Sequence, residues 1–455
     1  MTGGAELTAL YHRRVRESGA TAAELTGRLP RTEHLTAAYG GGFLSRPLFL
    51  GHHEKTALER DLAHWHRALE SLPDRLFEGD LAAFARAVGM TEVQVAAVLK
   101  GRGERMTRQS RADLHRTADG FKMLECNLGS ALGGLDNGEM AAALLEHPVL
   151  AGFAAEHRLT HVDTTEVQVA NTLLESGYAR TDRPVVALAD WPSSYQQLAP
   201  YNRLLCDRWA GYGLEAHPCH LGELTVRQKR VWLHGRPIDL VVRTFMVEDL
   251  LESPGAPALM APVLEAAEAG WVRIFTPMET EAFTSKGALA LLSDERHRGL
   301  YDPAELAALD RLLPWTRLVR EGRVTLADGE RGDLLAHALA HREELALKPT
   351  LSHGGRGVLL GWDREMTAER WERAVREAVD GPYLLQRRAE PLPEQFLDDS
   401  GEWSDWVVTW GVFSGADGFA GALTRAVPAG SANTVVNVGN GALVSSLLFE
   451  REPAV

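Results

Sequence analysis

The chain is 455 residues long, 45% hydrophobic and 24% charged, with a net charge of −14. This is the composition of a globular protein with roughly two to four units of ordinary domain size, and its acidity excludes nucleic acid and anionic membrane as main partners. Three cysteines suggest no disulfide framework, no run of about twenty apolar residues is present, and residues 1–10 lack a basic-then-apolar leader, so a cytoplasmic protein is expected.

Residues 1–105 read as mostly helical, with apolar residues at helical spacing over 53–72 and 82–99. Tyr39-Gly40-Gly41-Gly42-Phe43 interrupts them, either as a connection or as a loop lining a substrate. Residues 106–180 open with a β-hairpin and continue helix-rich over 138–176. The hairpin strands are expected at 114–117 and 121–124, around the turn Ala118-Asp119-Gly120, because Asp-Gly readily reaches positive φ. Side chains alternate along a strand, so Arg111 and Asp113 share one face, as do Glu125 and Asn127, while Cys126 points away as a packed thiol. Hard oxygen donors from Asp113, Glu125 and Asn127, converging from adjacent strands, suit Mg²⁺.

Residues 181–300 alternate apolar strands (184–189, 238–243, 271–275) with a helix at 195–211, the pattern of an open α/β sheet. Arg243 ends one of these strands. It is expected either to hold a substrate carboxylate or phosphate, or to pair with Glu248 or Asp249. Lys286 opens a helix against the dipole preference, as a ligand contact or as a solvated helix start. Residues 301–455 form an α+β lobe with a clear helix at 368–378. There Lys348 sits inside the apolar run Leu345-Ala346-Leu347-Lys348-Pro349, where an ammonium is costly unless it meets an anion. Gly354, Gly355 and Gly357 follow in a loop able to approach phosphate closely.

Arg-x-Asp at 111–113, Glu-x-Asn at 125–127 and the downstream Lys-Pro with its Gly-Gly-Arg-Gly-Val loop resemble the ATP-grasp carboxylate–amine ligases. The similarity is to the branch of circularly permuted order that includes glutathionylspermidine synthetase, in which the Glu-x-Asn strand comes first. Tyr383-Leu384-Leu385-Gln386 with Pro391-Leu392-Pro393, and Gly421-Ala422-Leu423-Thr424-Arg425, support it.

The resemblance implies a permuted ATP-grasp fold with an open α/β pre-ATP-grasp domain and a helical N-terminal region. It implies ATP and Mg²⁺ as cofactors, the metal on Asp113, Glu125 and Asn127, and the phosphates on Lys348 and the loop of Gly354, Gly355 and Gly357. Backbone groups of Gln386 to Ala389, Arg388 among them, would read the adenine edge. A second lysine expected on the preceding strand is absent, and Arg317 stands there instead. Arg111 and Arg425 would stabilise the oxyanion and phosphate. The polyamine-ligating members carry a further lysine shortly after the position of Arg425, where this chain has Ser431, Asn433 and Asn437. The implied reaction joins a small-molecule carboxylate to an amine through an acyl phosphate, giving a dipeptide, a γ-glutamyl amide or a related metabolite. The alternatives are a small-molecule kinase using the same site and a non-catalytic binding subunit.

Overall fold

Asp119-Gly120 turns the chain where expected, with Gly120 at φ +96°, but the hairpin it closes is longer than 114–124. Its strands run Ser110–Thr117 and Gly120–Leu128. Both are extended by pairing with distant chain, which local sequence does not reveal. The computed structural model describes residues 3–103, 106–431 and 435–452, and Asn433 lies outside them. The hairpin forms one edge of a six-stranded antiparallel sheet. From that edge the order is Gly120–Leu128, Ser110–Thr117, Trp403–Gly415, Gly418–Pro428 and Leu443–Ser445, with Glu394–Leu397 also paired to Trp403–Gly415. A sheet strand at 48–50, not expected from sequence, pairs in parallel with Leu447–Glu450 and ties the N-terminal helices to the end of the chain.

The open α/β unit has the expected parallel sheet, in the order Arg273–Phe275, Leu240–Arg243, Val186–Asp190, Ala216–His220. The run at 238–243 is split, because Ile238 closes a separate antiparallel meander and Asp239 turns inward to accept the Val185 N–H at 3.0 Å. The third unit is an antiparallel sheet ordered Thr316–Leu318, Tyr383–Arg387, Leu345–Pro349, Leu359–Leu360. Helices Leu334–Ala340 and Ala368–Glu377 cover it through Leu334, Trp371 and Val375, all buried against Leu345, Leu347 and Leu385.

In the N-terminal region the helix expected over 53–72 is His52–Glu70. The run at 82–99 breaks into Leu81–Ala87 and Glu92–Lys100. Gly89 causes the break: its φ is +99°, and a Cβ there would strike Thr350 Oγ1 at 2.3 Å.

Of the two roles open to Arg243, the structural one holds, though with a different partner from Glu248 or Asp249. Its guanidinium is 1% exposed and meets Glu281 at 2.5 Å, the Thr276 carbonyl at 2.6 Å and the Phe245 carbonyl at 2.8 Å. Arg243→Met would leave the buried Glu281 carboxylate unpaired, so a loss of about 3–5 kcal/mol is expected. It would be read as a lowered urea midpoint; an unchanged midpoint would mark the pair as dispensable.

Candidate functional site

One face of the six-stranded sheet gathers most of the expected site. Asp113 lies directly across from Glu125 and Arg111 across from Asn127, so the four side chains emerge together. The next strand contributes Thr409 and Gly411, and the next Leu423 and Arg425. The Asp113 carboxylate is gripped from both sides, by Arg111 at 2.9 and 3.2 Å and by Arg425 at 2.6 Å. Gly411 makes this reach possible. It sits between Asp113 and Leu423, and a Cβ there would come within 2.9 Å of both Arg111 Cδ and the Leu423 carbonyl oxygen.

The lysine strand docks against the hairpin edge. Lys348 Nζ donates to the Leu124 carbonyl at 3.1 Å and to Gln386 Oε1 at 2.6 Å. Burial pushes its ammonium down to about 8, against the pull of the Glu125 carboxylate. Burial alone would raise Glu125, but the Lys286 and Lys348 ammoniums hold it well below the usual carboxylate range. His115, bonded to the Ala389 carbonyl at 3.0 Å, is pushed down to about 4 by burial and is neutral near pH 7.

Gly354, Gly355 and Gly357 all have positive φ, between +68° and +75°. Asn437 Nδ2 donates to the Gly354 carbonyl at 2.8 Å, and His353 Nδ1 lies 3.4 Å from Asn127 Oδ1, so the loop lies over the hairpin. Together these elements enclose a cavity of about 420 Å³ lined by Arg111, Asp113, Glu125, Asn127, Lys348, Gly354, Gly355, Gln386, Arg388 and Arg425.

Two expected residues lie off its wall. Gly357 turns the loop back onto Pro349, 3.3 Å from where its Cβ would be. Arg317 is turned away: its buried guanidinium donates to Ser293 O at 2.8 Å and pairs with Glu295. Lys286, expected either as a ligand contact or as a solvated helix start, is not solvated but buried. It meets Glu125 Oε2 at 3.1 Å and the Ser352 carbonyl at 2.6 Å. Its opposition to the helix dipole was the one available signal. Of Tyr39-Gly40-Gly41-Gly42-Phe43 the cavity wall includes Tyr39 alone, which with Ala38 ends the helix Glu33–Tyr39, so the glycines act as the connection after it.

No protein-family model and no curated protein matches the sequence. Among solved structures, a glutathione synthetase-like effector from Globodera pallida aligns over 89% of this chain and 89% of its own, at 12% identity and a TM-score of 0.55. The chain has an ATP-grasp fold. A protein from Methylobacillus flagellatus named for gamma-glutamylcysteine synthetase overlaps 88% of each chain at 12% identity, with a TM-score of 0.46. The D-cycloserine synthetase DcsG covers 59% of this chain and 92% of its own at 17% identity, with a TM-score of 0.24. These two overlaps are too loose to bear on fold or activity. Among the described residues no helix is long and apolar enough to cross a membrane.

Within the glycine loop, Gly355 is the position most sensitive to an added side chain. Gly355 combines a φ of +75° with a Cβ position 2.5 Å from Val435 Cγ1. Gly355→Val should therefore displace the loop and raise the KM for ATP by about tenfold or more, while the rest of the fold is kept. Steady-state kinetics with matched circular dichroism check this; an unchanged KM would remove the loop from nucleotide binding.

Proposed function

We propose that this protein is an ATP- and Mg²⁺-dependent ligase that joins a small-molecule carboxylate to an amine through an acyl phosphate. What supports the reading is the gathering, in one cavity, of an oxygen-donor trio, a buried lysine and two arginines that flank Asp113. The trio fits Mg²⁺, since all three donors are hard oxygens on one sheet face and Mg²⁺ takes its remaining positions from water and phosphate. Held by Glu125 and Asn127, with Asp113 beside them, the ion would neutralise charge on the β- and γ-phosphates.

In this reading Lys348 meets the phosphates directly. Lys286 supplies a second buried cation behind Glu125, the part that Arg317 was expected to play. The substrate carboxylate attacks the γ-phosphorus, an O–P bond forms, and ADP leaves. The amine then attacks the acyl carbon, the C–O bond to phosphate breaks, and phosphate departs with an amide left behind. Arg111 and Arg425 face the oxyanion of that step. The loop of Gly354 and Gly355 excludes water, which would otherwise hydrolyse the acyl phosphate. The backbone N–H groups of Arg387 and Arg388 are already committed to the Trp315 and Glu344 carbonyls. The adenine is therefore read by other groups of the 386–389 segment and by the Arg388 side chain, stacked 4.8 Å over Trp362.

Two measurements test the proposal. ADP release should require both acid and amine, and Glu125→Gln should lower kcat by more than about 100-fold (about 3 kcal/mol) with ATP binding largely kept. Release that needs no amine would make the protein a kinase, and a fully active Glu125→Gln would remove this carboxylate from the reaction.

The second test is pH. Lys348 loses its proton as pH rises through about 8 in the free protein. Phosphate needs the charged form, so kcat/KM for ATP should be level below that pH and fall by up to about tenfold per unit above it. Lys348→Arg should move the fall to higher pH. A flat profile in the wild type would separate Lys348 from the phosphates.

A further inference from the structure

The cavity divides chemically across the sheet. Glu125 and Asn127 stand on the strand next to the lysine strand, whereas Leu423 stands three strands further over, about 14 Å away at ordinary strand spacing. The walls at that far end are Ala38, Tyr39, Leu132, Leu423 and Val438. The Tyr39 hydroxyl does not soften this apolar character. It donates to Asp136 at 2.5 Å, and Asp136 is 1% exposed, so the ring is what faces the cavity. Gly134 lets the loop lie directly on Leu423, since a Cβ there would fall 2.5 Å from Leu423 Cδ2. At the border stands Arg425, 8% exposed, with its Nε buried and, among the described residues, without a hydrogen-bond partner.

We infer that the acid substrate is an amino acid with an aliphatic or aromatic side chain. The inference rests on the ligase reading above and narrows it. The carboxylate to be activated lies at the phosphate end beside Arg111. The body of the molecule extends away from the metal-side strand, passes Arg425 and seats its side chain on Tyr39, Leu132, Leu423 and Val438. A cationic side chain is disfavoured there because Arg111 and Arg425 already border that end, and an anionic one would have to draw these arginines away from Asp113, which both already pair with. A γ-glutamyl donor or a polyamine does not fit that end.

Hydroxylamine isolates the acid from the unknown amine. Its nitrogen attacks the acyl phosphate carbon, the C–O bond to phosphate breaks, phosphate leaves, and a hydroxamate forms as the nitrogen proton passes to water. With Mg²⁺ and ATP, leucine, methionine and phenylalanine should give hydroxamate with kcat/KM about tenfold or more above glutamate, aspartate and lysine. Val438→Glu should remove most of that preference, while nucleotide affinity, read by calorimetry, is unchanged. Glutamate or lysine as the best substrate would overturn the inference and leave the ligase reading standing. Hydroxamate from no acid, in a protein that binds ATP, would overturn the ligase reading and the inference with it.

Discussion

The site depends on unbalanced charge held on largely buried side chains. Lys286 and Lys348 share the single Glu125 carboxylate, and Arg111 and Arg425 share the single Asp113 carboxylate. Cations taken out of water without full compensation cost several kcal/mol each. Burial accordingly pushes the Lys348 ammonium down to about 8. An arrangement of this kind is poorly justified as a stabilising network. It is well suited to receive a polyanion, which would restore the missing negative charge without reorganising the walls.

Three of these four cations are anchored by backbone carbonyls as well as by side chains. Lys348 is fixed by the Leu124 carbonyl, Lys286 by the Ser352 carbonyl and Arg111 by the Gly133 carbonyl at 2.8 Å. These three carbonyls belong to the hairpin, the glycine loop and the segment after the hairpin. Each cation therefore ties its own element to another, and the cavity cannot open without breaking a charge-assisted hydrogen bond. The neutral His115 does similar work between the hairpin and Ala389 without adding charge.

How much of this was legible in the sequence follows from how local each signal is. Asp113, Glu125 and Asn127 stand out because strand alternation and an Asp-Gly turn bring them to one face within fifteen residues of chain. Lys348 stands out because an ammonium in an apolar run demands an explanation. Arg317 and Lys286 were not distinguishable in the same way. Each is a basic residue near an element end, and only tertiary packing buries one beside Glu125 and binds the other to Ser293 and Glu295. Gly411 was invisible for a related reason. Its value lies in what a Cβ would strike on two neighbouring strands, one of them nearly three hundred residues earlier in the chain. The short strand at 48–50 carries no distinctive pattern either, and exists because Leu447–Glu450 offers it an edge.

The permuted order matters little to the chemistry and a good deal to the assembly. A sheet constrains which strands are neighbours, not the order in which the chain supplies them. Here the hairpin at 110–128 is made early and must wait for 403–428 before Arg425 can reach Asp113 across Gly411. The charged end needs Lys348, and the apolar end needs Leu132, Leu423 and Val438, so neither half of the cavity is complete within one stretch of chain. That long-range dependence explains why the charged half and the apolar half meet at Arg425. Its side chain borders both, with its charge on Asp113 and, among the described residues, a buried Nε left without a hydrogen-bond partner.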